Sequence, residues 1–166
     1  MPQPRDVRYP ETPNDFPSIE EMANMSGLEF MEKVRDGALP AAPIAKALGF
    51  WLDEVGDGRV VFRAKPGLHA YNPAGAVHGG WFGTLLDSCM ACAIQTRVPR
   101  GHAYTTLEYK VNLLRPVYHD TEEVLAIGEV DHVGRRTGVS TGRIVGAESG
   151  KLYATGSTTC IVMKVG

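Results

Sequence analysis

The chain has 166 residues, of which 43% are hydrophobic and 22% charged, and its formal net charge at pH 7 is −2. This length and composition predict one globular domain built around a single core. The balanced charge excludes a general electrostatic attraction to nucleic acid. No apolar run approaches the ~20 residues needed to span a bilayer, and the N-terminus lacks the apolar segment of a secretion signal. We therefore expect a cytoplasmic protein with neither a nucleic-acid nor a membrane partner.

An extended arm and two short helices are predicted in the N-terminal part of the chain. Residues 1–17 contain five prolines and few apolar side chains, which indicates an extended arm outside the core. Ser26 followed by Glu29 forms a capping-box pattern ahead of an apolar stretch, so a short helix is expected there. Another short helix is expected from Pro43 to Gly49, because proline favours the first turn of a helix and glycine favours its end.

From Phe50 onward the chain is predicted to be mainly β-structure. Six runs are typical of strands: FWLDEV, RVVFRAK, AYTTLEYKVNLLRP, EEVLAIGEVDHV, RTGVSTGRIVGA and KLYATGSTTCIVMK. A helix is predicted between the second and third runs, from about Gly79 to Thr96. Its large apolar side chains point in nearly every direction, so it must be buried all round: Trp81, Phe82, Leu85, Leu86, Met90 and Ile94. These elements favour an α+β fold in which one antiparallel sheet wraps around a single central helix.

One carboxylate is conspicuous in the stretch NPAGAVHGGWFGTLLD, residues 72–87. Asp87 is the only formally charged side chain between Pro66 and Thr96, although it belongs to the apolar helix. Burial of an unpaired carboxylate is costly in free energy. Asp87 therefore meets a basic partner from a strand, lies along a solvated seam, or takes part in chemistry, and the pattern does not choose among these.

Two glycines follow His78 where the central helix should begin. The N-terminus of a helix presents N–H groups without partners at the positive end of the helix dipole, and glycine lets a ligand approach the backbone. Gly79 and Gly80 could therefore bind a substrate carbonyl oxygen and stabilise the oxyanion formed on attack. The alternative is that they only permit a tight turn. His78 is expected either to brace this loop through its ring or to contact the substrate.

The spacing of Gly79 and Asp87 predicts a site shared between subunits. Eight residues of helix correspond to ~12 Å along the axis, which is too far for both groups to contact one reacting carbonyl. Two copies of the helix packed antiparallel about a two-fold axis would bring Asp87 of one copy beside Gly79 of the other. Small residues on that face would allow close approach: Gly83, Thr84 and Ala91. We therefore expect a homodimer with two equivalent sites.

Other motifs are interpreted as structural. Residues 138–142 match the GxSxG pattern of serine hydrolases, but no histidine follows His132 and the surroundings alternate as a strand, so Ser140 is predicted to be a strand residue. Cys89 and Cys92 would be neighbours on the helix and are interpreted as packing residues. The five histidines show no metal-binding spacing, and neither a metal nor another cofactor is expected.

Taken together and in order, NPAGAVHGG, Asp87, TTLEYKVNLLRP and HVGRRT resemble the PaaI-type thioesterases of the hotdog superfamily. The resemblance runs from about Ile44 to the C-terminus. Residues 44–166 are therefore assigned to a hotdog thioesterase domain, and residues 1–43 to an N-terminal arm and short helix. The resemblance implies a hotdog fold, a homodimer often paired into a homotetramer, and hydrolysis of acyl-CoA to free acid and CoA without a metal.

The resemblance also implies roles for individual residues. Asp87 resembles the family's carboxylate, which acts as a nucleophile or as a general base toward water. The backbone N–H of Gly79 resembles the group that polarises the thioester carbonyl. Asn72 matches the position from which an Asn or Gln helps to place water or substrate, and Thr106 is similar to a strand position whose hydroxyl assists in some members.

Arg135 and Arg136 lie together in HVGRRT, at the junction of two predicted strands. Guanidinium groups bind phosphates well, although paired arginines at a turn can equally be solvated. The resemblance implies that these two belong to the surface that binds the phosphates of CoA.

Two other functions and the acyl group stay open at this point. The domain could bind acyl-CoA without hydrolysing it, although the retained carboxylate and amide favour an enzyme. It could also be a hotdog enoyl-CoA hydratase or dehydratase, which would need a histidine paired with a carboxylate at the reacting carbon. Four residues could line an aryl or medium-chain pocket or simply form core: Trp81, Phe82, Met90 and Tyr104.

Overall fold

The computed structural model describes residues 7–165, so residues 1–6 of the predicted arm and residue 166 lie outside the described residues. Within that range the helices are α1 (Ile19–Ala23), α2 (Gly27–Arg35), α3 (Pro43–Leu48) and α4 (Gly79–Gln95). The strands are β1 (Phe50–Gly56), β2 (Arg59–Ala64), β3 (His102–Leu113), β4 (Val124–Val133), β5 (Thr137–Gly146) and β6 (Leu152–Lys164). None of these helices is long and apolar enough to cross a membrane.

The strands form one antiparallel sheet in the order β1-β2-β4-β5-β6-β3, which wraps around α4. β1 and β2 are joined by the two-residue turn Asp57-Gly58, in which Gly58 has a φ of 72° and so takes the left-handed conformation. All the large apolar side chains that predicted a buried helix are buried. The structure therefore confirms the α+β fold class, the order of the elements and the central helix.

Glycines on the inner face of the sheet let α4 approach it closely. A Cβ atom at Gly128 would lie 2.1 Å from the carbonyl oxygen of Cys89, and a Cβ atom at Gly142 would lie 2.7 Å from Met90 Cγ. A contact as close as the one at Gly128 leaves no space for a side chain, so the strand backbone packs directly on the helix backbone. The position of α4 is therefore determined both by these glycines, which let the helix backbone contact the sheet, and by the packing of apolar side chains.

The GxSxG motif is part of the same contact. Gly138 packs against Ile94, and Ser140, two residues further on β5, is buried and donates a hydrogen bond to the carbonyl oxygen of Met90 at 2.9 Å. The alternation of β5 turns residues 138, 140 and 142 toward the helix. Ser140 is thus a strand residue that anchors α4, as predicted, and its hydroxyl is buried away from any substrate.

The N-terminal segment packs on the main body of the protein. Tyr9 is half-buried and contacts the core, so the prediction that residues 1–17 lie outside the core is wrong at this residue. The large apolar area of its ring favours burial despite the prolines around it. The Ala41 N–H donates to the carbonyl oxygen of Arg8 at 2.8 Å and holds the segment in place. Ser26 caps α2 as predicted, since its hydroxyl accepts the N–H of Glu29.

Candidate active site

The candidate site lies where β3 runs alongside α4 in the opposite direction. Four contacts follow one another from the start of the helix: Leu113 over Gly79, Tyr109 over Gly83, Thr106 on Asp87, and Tyr104 on Cys92. β3 therefore covers the face of α4 that carries Asp87. The predicted packing of two helices through Gly83, Thr84 and Ala91 is wrong at Gly83 and Ala91, because both are buried within the protomer.

A β-bulge at Leu107 makes this set of contacts possible. Side chains alternate across a strand, so Thr106 and Tyr109 would face opposite sides of a regular one. The register of β3 against β6 shifts just after Thr106, and the extra residue, Leu107, is exposed. Because the bulge reverses the alternation, side chains both before and after it face α4.

Asp87 is half-buried and is held by a neutral partner. The Thr106 hydroxyl donates to Asp87 Oδ1 at 3.0 Å. Within residues 7–165 no cation forms an ion pair with this carboxylate, and its Oδ2 atom has no hydrogen-bond donor. The basic partner considered from the sequence is therefore absent from this range, and the second carboxylate oxygen is free to act on water or substrate.

Asp87 has two neutral neighbours toward the C-terminal half of α4, Cys92 and Tyr104. Burial raises the pKa of the Cys92 thiol to about 12 and raises the pKa of the Tyr104 hydroxyl well above its ordinary value. The negative charge of Asp87 also contributes to both pKa shifts, so the carboxylate lies near these groups. The Tyr104 hydroxyl lies close to the Cys92 thiol, and each affects the pKa of the other. Cys92 is thus a neutral neighbour of the acid.

His78 caps the N-terminus of α4. Its Nδ1 atom accepts the N–H of Gly80 at 2.8 Å, which is the loop-bracing role considered for this ring. The Gly80 N–H is therefore engaged within the protein. The Gly79 N–H donates to no group of residues 7–165, so it is the free donor at the positive end of the helix.

Asn72 braces the loop that leads into α4. Its Oδ1 atom accepts the N–H of Ala74 at 2.9 Å and that of Ala76 at 3.3 Å. The Asn72 N–H donates in turn to the carbonyl oxygen of Ala76 at 2.8 Å. Its Nδ2 atom has no acceptor in the part of the chain that the structure describes, so this amide group is the one that can reach water or substrate.

Arg135 and Arg136 line a separate cavity of about 430 Å³ at the ends of β3 and β6. Lys164 and His102 line it as well, and none of its lining residues is acidic. Neither arginine forms an ion pair within residues 7–165. The cavity is thus suited to an anionic group, although no hydrogen bond or ion pair joins it to Asp87 in the described range.

Comparisons with known proteins agree with this architecture. The thioesterase superfamily is matched over residues 74–153. A conserved protein from Pseudomonas aeruginosa is 29% identical, with 74% of this chain and 95% of that one covered and a TM-score of 0.68. A mutant of the phenylacetic acid degradation protein PaaI from Thermus thermophilus is 27% identical, with 72% and 98% covered and a TM-score of 0.65. A hypothetical thioesterase from Streptococcus pneumoniae, solved with coenzyme A, is 26% identical, with 73% and 91% covered and a TM-score of 0.64. No curated protein sequence matches.

A six-stranded antiparallel sheet wrapped around one central helix defines a hotdog fold. Together with the superfamily match over residues 74–153, this fold makes the chain similar to hotdog-fold thioesterases, PaaI among them. Thioester hydrolysis is therefore its general activity.

Proposed function

We propose that the protein hydrolyses acyl-CoA thioesters to a free acid and CoA, in a site that two subunits of a homodimer share. The arrangement along α4 is the observation that carries this proposal. One half-buried carboxylate, Asp87, is held by Thr106 with one oxygen unengaged, and the free N–H of Gly79 lies at the start of the same helix. These are the two groups that hydrolysis of a thioester requires: one to deliver oxygen and one to stabilise the oxyanion.

The Gly79 N–H donates to the thioester carbonyl oxygen, and the helix dipole stabilises the charge that develops there. Asp87 acts by one of two routes. As a general base, it takes a proton from water while the water oxygen bonds to the carbonyl carbon; the C–S bond breaks and the leaving thiolate takes the proton. As a nucleophile, a carboxylate oxygen attacks the carbonyl carbon and expels the thiolate, and water then hydrolyses the anhydride. Asn72 Nδ2 orients the water or the carbonyl, and His78 fixes the turn.

Gly79 and Asp87 of one chain are ~12 Å apart along the axis of α4, too far to act on the same carbonyl. A second subunit would bring its own Asp87 close to this Gly79. β3 is an edge strand that carries exposed apolar side chains: Leu107 at 59%, Tyr109 at 47% and Leu113 at 54%. Such an edge pairs readily with another strand. Since Thr106 lies at Asp87 and Leu113 lies at Gly79, antiparallel pairing of two β3 strands centred near Tyr109 would bring each Asp87 toward the other subunit's Gly79. The homotetramer stays a prediction.

Release of free thiol tests the proposed activity directly. The protein is expected to release CoA from acyl-CoA substrates, measured with a thiol-reactive dye. Binding of acyl-CoA without thiol release would instead indicate a non-catalytic acyl-CoA-binding domain. Hydration of an enoyl-CoA without thiol release would indicate the hydratase alternative, although within residues 7–165 of one protomer Asp87 has no histidine partner.

We expect the cavity lined by Arg135 and Arg136 to bind the phosphates of CoA. Replacing Arg135 and Arg136 together by Gln is expected to raise KM for an acyl-CoA about tenfold with little change in kcat, because charge-assisted hydrogen bonds to phosphate are lost. The acyl thioester of N-acetylcysteamine lacks the nucleotide, so its KM should not change. Arg143→Gln is the control, since Arg143 on β5 pairs with Glu129 at 2.6 Å. An equal rise in KM for both substrates would contradict a role in binding phosphate.

A further inference from the structure

Residues 16–45 precede the part of the chain that matches the thioesterase superfamily, and they form a wall beside α4 and β1. Within this wall, α2 packs against both elements. The Gly27 N–H donates to the carbonyl oxygen of Val98 at 2.9 Å, and a Cβ atom at Gly27 would lie 1.6 Å from the carbonyl oxygen of Gln95. Only glycine permits this contact, so the start of α2 is fixed against the end of α4.

Two adjoining cavities lie between this wall and the rest of the protein. The front cavity, about 420 Å³, is lined in part by Ala45 and Ser88, and the rear cavity, about 460 Å³, is lined in part by Ala23 and Tyr104. Both cavities are within the ~300–1,000 Å³ typical of ligand pockets. They share four lining residues: Met22, Phe30, Met31 and Cys92.

Both cavities reach the surroundings of Asp87. Ser88, the residue after Asp87, lines the front cavity, and Cys92, one turn further along α4, lines both. Tyr104 lines the rear cavity and precedes Thr106 by two residues on the same face of β3, and Thr106 donates to Asp87. Asp87 and Thr106 do not line the cavities themselves, but their neighbours Ser88, Cys92 and Tyr104 do, so the cavities lie beside the candidate site.

We propose that residues 16–45 and the C-terminal half of α4 enclose the binding pocket for a medium to long aliphatic acyl chain. This inference rests on the proposed function, and it names the substrate class. No Asp, Glu, Lys or Arg is among the residues that line either cavity. A charged acyl group would lose its hydration there with at most His102, in the rear cavity, to compensate it, whereas each buried methylene strengthens binding about fourfold.

The side chains between the cavities favour an aliphatic chain over an aryl group. Met22 and Met31 belong to both linings, and the unbranched thioether side chain of methionine adapts to the shape of a ligand. A flexible hydrocarbon chain can pass these side chains and occupy both cavities. A rigid aromatic ring fills one cavity at most and leaves the other without contacts.

The test compares kcat/KM for acetyl-, hexanoyl-, decanoyl- and benzoyl-CoA. The wild-type protein is expected to prefer decanoyl-CoA over both acetyl- and benzoyl-CoA. Ala45→Leu, which fills the front cavity, should lower the decanoyl-to-acetyl ratio about tenfold, equivalent to the loss of about two methylene contacts. Ala47→Leu is the matched control, because Ala47 lies on the same helix but is exposed, and it should leave the ratio unchanged. Ala23→Leu fills the rear cavity and tests the same point where Ala45→Leu does not fold.

A binding measurement separates this pocket from the proposed activity. Calorimetry should show that decanoate binds the wild-type protein and that each cavity-filling variant weakens this binding about tenfold. If that result holds while no acyl-CoA is hydrolysed, the pocket stands and the proposed function fails. If acyl-CoA is hydrolysed but neither variant alters the decanoyl-to-acetyl ratio or the binding of decanoate, the function stands and the pocket is wrong. A wild-type preference for benzoyl-CoA also overturns the aliphatic assignment.

Discussion

Replacement of Asp87 by Asn is expected to lower kcat for thioester hydrolysis about 10²- to 10⁴-fold, the range found when a general acid or base is removed. Asn has nearly the same shape as Asp, and its amide oxygen can still accept the Thr106 hydroxyl, but it can neither take a proton from water nor attack a carbonyl as a carboxylate does. Because a half-buried carboxylate without an ion-pair partner is costly, Tm should not fall. Thiol-release kinetics and thermal unfolding measure both effects.

Thr106→Val tests the role of the hydroxyl that holds Asp87 separately from the role of Asp87 itself. Val keeps the shape and the β-propensity of Thr but removes the donor that lies 3.0 Å from Asp87 Oδ1. This variant should lose about tenfold in kcat, less than Asp87→Asn loses, since it loses one hydrogen bond to a charged group. A larger loss in Thr106→Val than in Asp87→Asn would contradict the assignment of Asp87 as the reacting group.

Periodicity explains why the fold could be predicted from the sequence. The apolar residues around α4 leave no polar face, so the helix had to be enclosed, and six alternating runs supplied the sheet that encloses it. Asp87 could also be identified, because a single charge in such a helix is conspicuous. Local sequence carries both signals, and neither depends on how distant residues pack.

The bulge at Leu107 and the helix α1 were not predicted, for different reasons. The segment TTLEYKV alternates without a glycine or proline, so no local signal indicates an extra residue in β3. For α1 a signal existed: Ser18 and Glu21 form a capping box, with the Glu21 N–H donating to Ser18 Oγ at 3.2 Å. The prolines nearby obscured it. The cavities beside α4 depend on contacts between residues far apart in the chain, which periodicity does not report.

Removal of the Gly79 N–H is expected to have the second large effect. Gly79 is the first residue of α4, a position at which proline is tolerated, and His78 before it has the extended conformation that proline requires, with φ −65° and ψ 141°. Gly79→Pro should therefore preserve the helix and lower kcat about 10²- to 10³-fold, as the loss of an oxyanion donor does. Gly79→Ala is the matched control, because it retains the N–H but adds the same Cβ, 3.1 Å from Leu113 Cδ1.

Mixing the two inactive proteins tests whether the site is shared. In a dimer of one Asp87→Asn subunit and one Gly79→Pro subunit, one site combines the intact Gly79 of the first subunit with the intact Asp87 of the second. The other site carries both substitutions. Random exchange of equal amounts makes half of the dimers mixed, so activity should recover to about a quarter of the wild-type level. Thiol release before and after exchange, with analytical ultracentrifugation to verify the dimer, measures this recovery.

The absence of recovery would place the whole site in one chain, because each subunit of a mixed dimer would then still lack one essential group. Full activity in a wild-type monomer would lead to the same conclusion. Recovery, in contrast, would explain two features of α4 at once. The carboxylate and the free N–H lie ~12 Å apart because each serves the other subunit, and the apolar edge of β3 is exposed in the protomer because the partner's β3 covers it.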